Sequence, residues 1–180
     1  MTLEQMKEKV YAMIEEYDEK AEDLTQDNDL ATKMNGVINQ IQNELARFKK
    51  LSAKTTLEVT EGQEINVSDI ARNIYQLNMI RDVDFDIIGD TIIFNEDGTA
   101  RIFYYRYPKQ IDSETEDDFK LDLPTDCLEI MPYGVAGDIL KSDVSSQYGT
   151  IYSNRYKELL QTLDPRHGIQ IGTFSGGYDI

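Results

Sequence analysis

The spacing of apolar residues changes twice along this chain, from helical at the amino end to strand-like in the middle and back to helical, which points to a mixed α and β fold. Thr2 with Gln5 has the form of a capping box. Behind it Leu3, Met6, Val10, Met13, Ile14 and Tyr17 recur at helical spacing, so a first helix is expected from about Leu3 to Asp23. After the polar break "DLTQDNDL", a second stripe runs through Leu30, Met34, Val37, Ile38, Ile41, Leu45, Phe48 and Leu51. The two helices are expected to form an antiparallel hairpin. Gly36 costs the second of them about 1 kcal/mol relative to alanine, which suggests a close helix contact there.

From Thr56 the period shortens. Thr56–Thr60 and Glu64–Val67 read as a strand and its return across the turn Glu61-Gly62-Gln63, and Ser68 is placed to cap a short helix with Ile70, Ala71, Ile74 and Leu77 on its apolar face. Val83, Phe85 and Ile87 then alternate with acids, Thr91–Asn95 is β-branched and aromatic, and Asp97-Gly98 reads as a hairpin turn leading into Ala100–Tyr107. "DSETEDD", from Asp112 to Asp118, is expected to be a mobile acidic loop, with a short strand at Phe119, Leu121 and Leu123. A second helical hairpin is expected from Asp126 to Leu163. Its small-residue segment Tyr133-Gly134-Val135-Ala136-Gly137 permits close helix approach, and Asn154-Arg155-Tyr156 sits on the second helix. The ending "PRHGIQIGTFSGGYDI" has four glycines and little periodicity, and suggests an extended arm that orders on docking.

The expected fold class is therefore α+β: a helical bundle from the N- and C-terminal helices, an inserted antiparallel β module and an extended C-terminal arm. The corresponding segments are 1–54, 55–123, 124–164 and 165–180.

Composition narrows the function. The net charge of −16, from 34 acids and 18 bases, disfavours binding to a phosphate backbone, which Lys and Arg must attract. Such a surface suits a pore through which DNA slides, a decoy that imitates DNA, or an ordinary acidic protein. One cysteine, Cys127, leaves no intramolecular disulfide framework and no multi-cysteine metal site. No apolar run approaches the ~20 residues of a membrane helix, and the first residues carry no apolar signal core, so a cytosolic origin is expected.

No motif marks catalysis. The sole histidine, His167, lies between Arg166 and Gly168, and nothing pairs it with Cys127 or a serine as base and nucleophile. Asp82, Asp84 and Asp86 alternate with apolar residues, which places them on the solvent face of a strand. The segment Asp23–Met34 lacks the central glycine and final glutamate of a calcium loop. The paired glycines of "GTFSGGYDI" open no helix and so form no phosphate-cradling loop. Catalytic residues, metal ligands and cofactors are all expected to be absent. Tyr104, Tyr105, Tyr107, Tyr148, Tyr152 and Tyr156 suit either a subunit interface or ordinary half-buried positions.

The order of modules, followed by "YYRYPKQI", "LDLPTDCLEIMPYGVAGDIL", "YSNRYKELLQTL" and a free tail, resembles the head-tail connector, or adaptor, proteins of tailed bacteriophages. The resemblance spans nearly the whole chain and rests on degenerate motifs. It implies a non-enzymatic virion protein of the head-tail neck. Such a protein forms a homo-oligomeric ring, usually of twelve subunits, below the portal protein. The ring continues the DNA channel without binding DNA specifically, and it offers a platform to tail, stopper or tail-tube proteins, with no membrane involved. It further implies that the arm, with Ile169, Ile171, Phe174 and Tyr178, reaches the portal or an adjacent subunit by strand addition, and that Tyr152, Arg155 and Tyr156 contribute to a portal or subunit interface. The β module is larger than in the smallest helical adaptors, which leaves the tier within the neck open. The competing expectation is an acidic DNA mimic that inhibits a host DNA-binding enzyme.

Overall fold

A computed structural model describes residues 1–15, 28–141 and 147–163, and among these the fold is mixed α and β, with five helices and two small antiparallel sheets. In chain order the elements are α1 (Leu3–Glu15), α2 (Asn28–Lys49), β1 (Ser52–Val59), β2 (Glu64–Asn66), α3 (Val67–Ile70), β3 (Ile74–Arg81), β4 (Phe85–Ile88), β5 (Thr91–Phe94), β6 (Gly98–Arg106), α4 (Thr125–Leu140) and α5 (Tyr148–Thr162).

The capping box forms as the sequence suggests. Thr2 N–H donates to Gln5 Oε1 at 3.1 Å and Gln5 N–H to Thr2 Oγ1 at 3.2 Å, which satisfies two otherwise orphaned donors. The continuation of α1 towards Asp23 lies outside the described residues. α2 stops at a left-handed Lys50 (φ 50°), with Lys50 N–H bonded to Arg47 O and Leu51 N–H to Ala46 O, the paired bonds of a Schellman motif.

One hydrophobic core draws on α1, α2, α4 and α5, including Met6, Met34, Leu45, Met131 and Tyr156. α1 and α2 both pack on α4. α4 is central for a reason visible in its composition: 11 of its 16 residues are buried, and only a narrow stripe, with Thr125 and Glu129 exposed, is left to solvent. Gly36 is exposed on α2 with nothing near it, so the close contact expected there is absent and belongs instead to the glycines of α4.

The second core lies within the β region and includes Ile80, Ile92, Phe94, Ala100, Ile102 and Tyr104. One sheet has the order β1-β6-β3 and the other β2-β5-β4. Two expected hairpins are therefore corrected. β1 pairs with β6 and β2 with β5, so the turn at Gly62 joins different sheets, and Asp97-Gly98 likewise carries the chain from one sheet to the other. Neither residue of that pair has positive φ, which a two-residue type I′ hairpin requires. The true hairpin turn is Gly89-Asp90 between β4 and β5, with Gly89 at φ 61°, as a type II′ turn demands at its first central position.

The expected helix through Ile74 and Leu77 is a strand, and α3 ends at Ile70, capped by Asn66 rather than Ser68. Register shifts between Ile74 and Gln76 and again between Leu77 and Met79 each insert one extra residue opposite β6. Two bulges so close together change the strand's apolar period from two to three, and this puts Ile74, Leu77 and Ile80 on the core side.

Between the sheets and α4 the chain is extended. Asn39 holds Ile111 by both backbone groups, donating to its oxygen at 2.7 Å and accepting from its N–H at 2.8 Å, and buried Gln42 donates to Lys109 O at 3.1 Å. Ile111 and Leu121 are buried in the helical core. The short strand expected at Phe119–Leu123 is an isolated bridge, Thr2 to Lys120. The acidic loop before it is tied down, since Asp112 Oδ1 accepts from Glu114 N–H and Thr115 Oγ1, while Asp117 O accepts from Glu4 N–H. No helix among the described residues is long and apolar enough to cross a membrane.

Candidate interaction surfaces

α4 and α5 meet through glycines. A Cβ on Gly137 would lie 2.8 Å from the backbone nitrogen of Ser153, one on Gly149 would lie 2.9 Å from the carbonyl carbon of Leu140, and one on Gly134 would lie 3.1 Å from the ring of Tyr156. This close approach buries Tyr156 to 6% exposure in the chain's own core. Burial first, and then the nearby Glu44 carboxylate, push its phenol far above the ordinary tyrosine range. Tyr152 is half-buried. Its ring tilts against Tyr133 at 6.4 Å and its hydroxyl donates to Met13 O at 3.1 Å, which ties α5 to α1.

Arg155 faces the other way, exposed and paired with Glu158 at 3.3 Å. With Tyr148 (43% exposed) and Ile151 (54%), these residues share one stripe at helical spacing along the outside of α5. Of the α5 residues singled out in the sequence, Tyr148 and Arg155 thus lie on the outer stripe and Tyr152 and Tyr156 on the inner face. Ile151 was not singled out, although its place one turn before Arg155 was the available signal. Ile169, Ile171, Phe174 and Tyr178 lie outside the described residues, as does His167.

A second surface is the β2-β5-β4 sheet. The stretches 59–71 and 82–98, which contain it, carry nine acids (Glu61, Glu64, Asp69, Asp82, Asp84, Asp86, Asp90, Glu96 and Asp97) and no Lys or Arg. Asp82, Asp84 and Asp86 are all exposed, in keeping with the alternation. Asp82 is paired with Arg101, and Asp86 accepts from Asn95 Nδ2 at 3.1 Å. The hydrogen bond from Arg101, with the attraction of its guanidinium, holds the Asp82 carboxyl below the usual range. A carboxyl so depressed contributes stability that is present above its unfolded pKa and lost as pH falls through its folded one. The expected result is that Asp82 titrates below the usual carboxylate range in a carbon-detected NMR titration, and that Arg101→Gln moves its midpoint upward. An unchanged midpoint in that variant would contradict the pairing.

At the edge of this sheet the apolar alternation fails to be buried. Val83 is in the core and Phe85 half-buried, but Ile87 is 48% and Ile88 67% exposed. Beside them a groove of about 400 Å³ runs between β4 and β3, lined among others by Leu77, Met79, Ile80, Phe85 and Ile87.

The junction of the two cores is built from cations, aromatics and acids. Arg47 lies 5.2 Å from the Tyr107 ring and 5.9 Å from that of Tyr75, while Lys49 pairs with Asp126 at 2.7 Å and Arg106 with Asp122 at 2.6 Å. Tyr104 is buried in the β core and Tyr105 is buried beside Tyr75, and Cys127 is fully buried in the helical core. No group of three His, Cys, Asp or Glu among the described residues is arranged to hold a metal ion. Comparison with known proteins gives no match, either to a family model or to a curated protein.

Proposed function

We propose that the chain is a head-tail connector of a tailed bacteriophage, a non-enzymatic neck protein in which helices from both chain ends make a bundle and the β region is an inserted module. The observation that carries this reading is the position of α4. Its small-residue segment is buried among α1, α2 and α5, while α5 presents Tyr148, Ile151 and Arg155 outward. A subunit built this way can assemble into a ring, twelve-fold on the resemblance, without refolding its core. The net charge of −16 supports a conduit, because an acidic lining has no counterion-release affinity for the phosphates that pass it. In this reading the partners are the portal above and tail, stopper or tail-tube proteins below, and the site of action is the virion neck.

The test is co-sedimentation with DNA-filled, tail-less heads of the phage that encodes the chain. The chain is expected to pellet with heads that bear a portal and to remain in the supernatant with capsids that lack one. Equal recovery with both would refute the assignment. The base-free acidic sheet favours a second reading, an acidic DNA mimic that occupies the DNA site of a host enzyme. A mimic would ignore the heads and instead protect DNA from that enzyme.

A further inference from the structure

The free edge of β4 combines three properties that ordinarily do not coincide. It ends its sheet, in the order β2-β5-β4. It carries two exposed isoleucines, Ile87 and Ile88, where edge strands are usually blunted by charge or proline. And its backbone is available. Hydrogen-bonded pairs alternate along an antiparallel ladder, and Asn95 N–H donates to Asp84 O, so residues 84, 86 and 88 point their backbone groups at β5. The N–H and C=O of Phe85 and Ile87 therefore face outward, and among the described residues they have no backbone partner. The groove lies on that same side, floored by Leu77, Ile80 and Phe85 and flanked by β3, itself an edge strand.

We propose that this edge docks an extended segment of another protein in which apolar and basic residues alternate. Strand addition beside β4 uses the outward groups of Phe85 and Ile87. Because side chains alternate across a strand, every second residue of the segment enters the apolar groove beside Ile87, and the residues between them lie on the outer face with Asp84, Asp86 and Ile88. Charge selects the occupant. The stretches 59–71 and 82–98 carry nine acids and no Lys or Arg of their own, and with Asp82 neutralised by Arg101 a strong net negative charge remains, so a lysine- or arginine-bearing segment is attracted, whereas a second copy of this surface meets like charge. The surface is defined independently of whether a portal is the chain's partner.

The test uses the full chain, isotopically labelled, and an acetylated, amidated peptide of alternating lysine and valine, at about physiological ionic strength. The control peptide has the same composition with its lysines grouped at one end. The alternating peptide is expected to shift the amides of Phe85 and Ile87 saturably, and the grouped peptide to leave them in place. Ile87→Pro removes an N–H that makes no ladder bond, so it should preserve the β4–β5 pairing while weakening binding by at least about tenfold. Asp86→Lys should weaken it by about as much through charge alone, which keeps the test decisive if the proline variant fails to fold. Equal binding of the two peptides, shifts centred on β1, or undiminished binding by Asp86→Lys would overturn the proposal. So would self-association of the chain through β4, which would make a second copy the occupant.

Discussion

Gly137→Ala is expected to destabilise the chain by about 2 kcal/mol, a large share of the stability of a domain this size. The added Cβ would lie 2.7 Å from Ser153 Oγ, 2.8 Å from its backbone nitrogen and 3.2 Å from its Cα. The hydroxyl can rotate away, but the backbone cannot, so α5 must retreat from α4 and loosen the contacts along both helices. Against this stands the gain of about 1 kcal/mol that alanine brings to a helix interior. Gly36→Ala isolates that gain, because Gly36 sits in α2 and a Cβ added there would meet nothing within 4 Å. Urea unfolding of the two variants should move in opposite directions, Gly36→Ala gaining up to about 1 kcal/mol. If Gly137→Ala were also stabilising, the close approach of α4 and α5 would be wrong.

Tyr156→Ala should cost more, about 3 to 5 kcal/mol, the range for removing a buried aromatic side chain. Its ring fills the space that Gly134 leaves on α4, next to Ile41 of α2, so its loss opens a cavity where three helices meet. Tyr156→Phe keeps that volume and should cost much less. The pair separates a packing role from a surface one: a residue that served only a subunit interface would leave the isolated chain's stability unchanged when truncated. A ΔΔG near zero for Tyr156→Ala would move this ring out of the core.

The ends of the fold were more legible than the middle. The capping box at Thr2 and Gln5, the stripes of α1 and α2 and the glycine-rich contact of α4 all follow from short-range rules, where the residues that signal an element also form it. The β region hides its pairing because sheet partners are remote in sequence. Asp97-Gly98 has the local chemistry of a hairpin, yet β5 and β6 belong to different sheets, and the choice was made by burial of Phe94 and Ala100 in one shared core. β3 misleads more directly, since its two bulges give Ile74, Leu77 and Ile80 a three-residue spacing that resembles a helix face. The clamp of Asn39 and Gln42 on the 109–111 backbone is a third case. Amides on a helix have no apolar period to announce them, and their role appears only when the extended segment they satisfy is in place.

The same contrast holds for the candidate surfaces. The small-residue segment pointed to α4, and Arg155 does lie outside. Tyr152 and Tyr156, amphipathic rings suited to either environment, turn inward, Tyr156 over Gly134 and Tyr152 against Tyr133 and the Met13 carbonyl. Ile87 reads as a strand residue alternating with acids, and Ile88 carries no signal of its own. Only the sheet order, which leaves β4 at an edge, makes them a surface.

The central claim is that this chain joins a portal as a ring, and the most direct measurement is the mass of the purified protein alone and after mixing with the portal ring from the same genome, at physiological salt. The account predicts a complex in which the chain is present in one fixed multiple per portal ring, whatever its state in isolation, because a portal can template assembly of a subunit that is monomeric on its own. Failure to join the portal at any ratio, together with co-migration with a host DNA-binding enzyme, would contradict it.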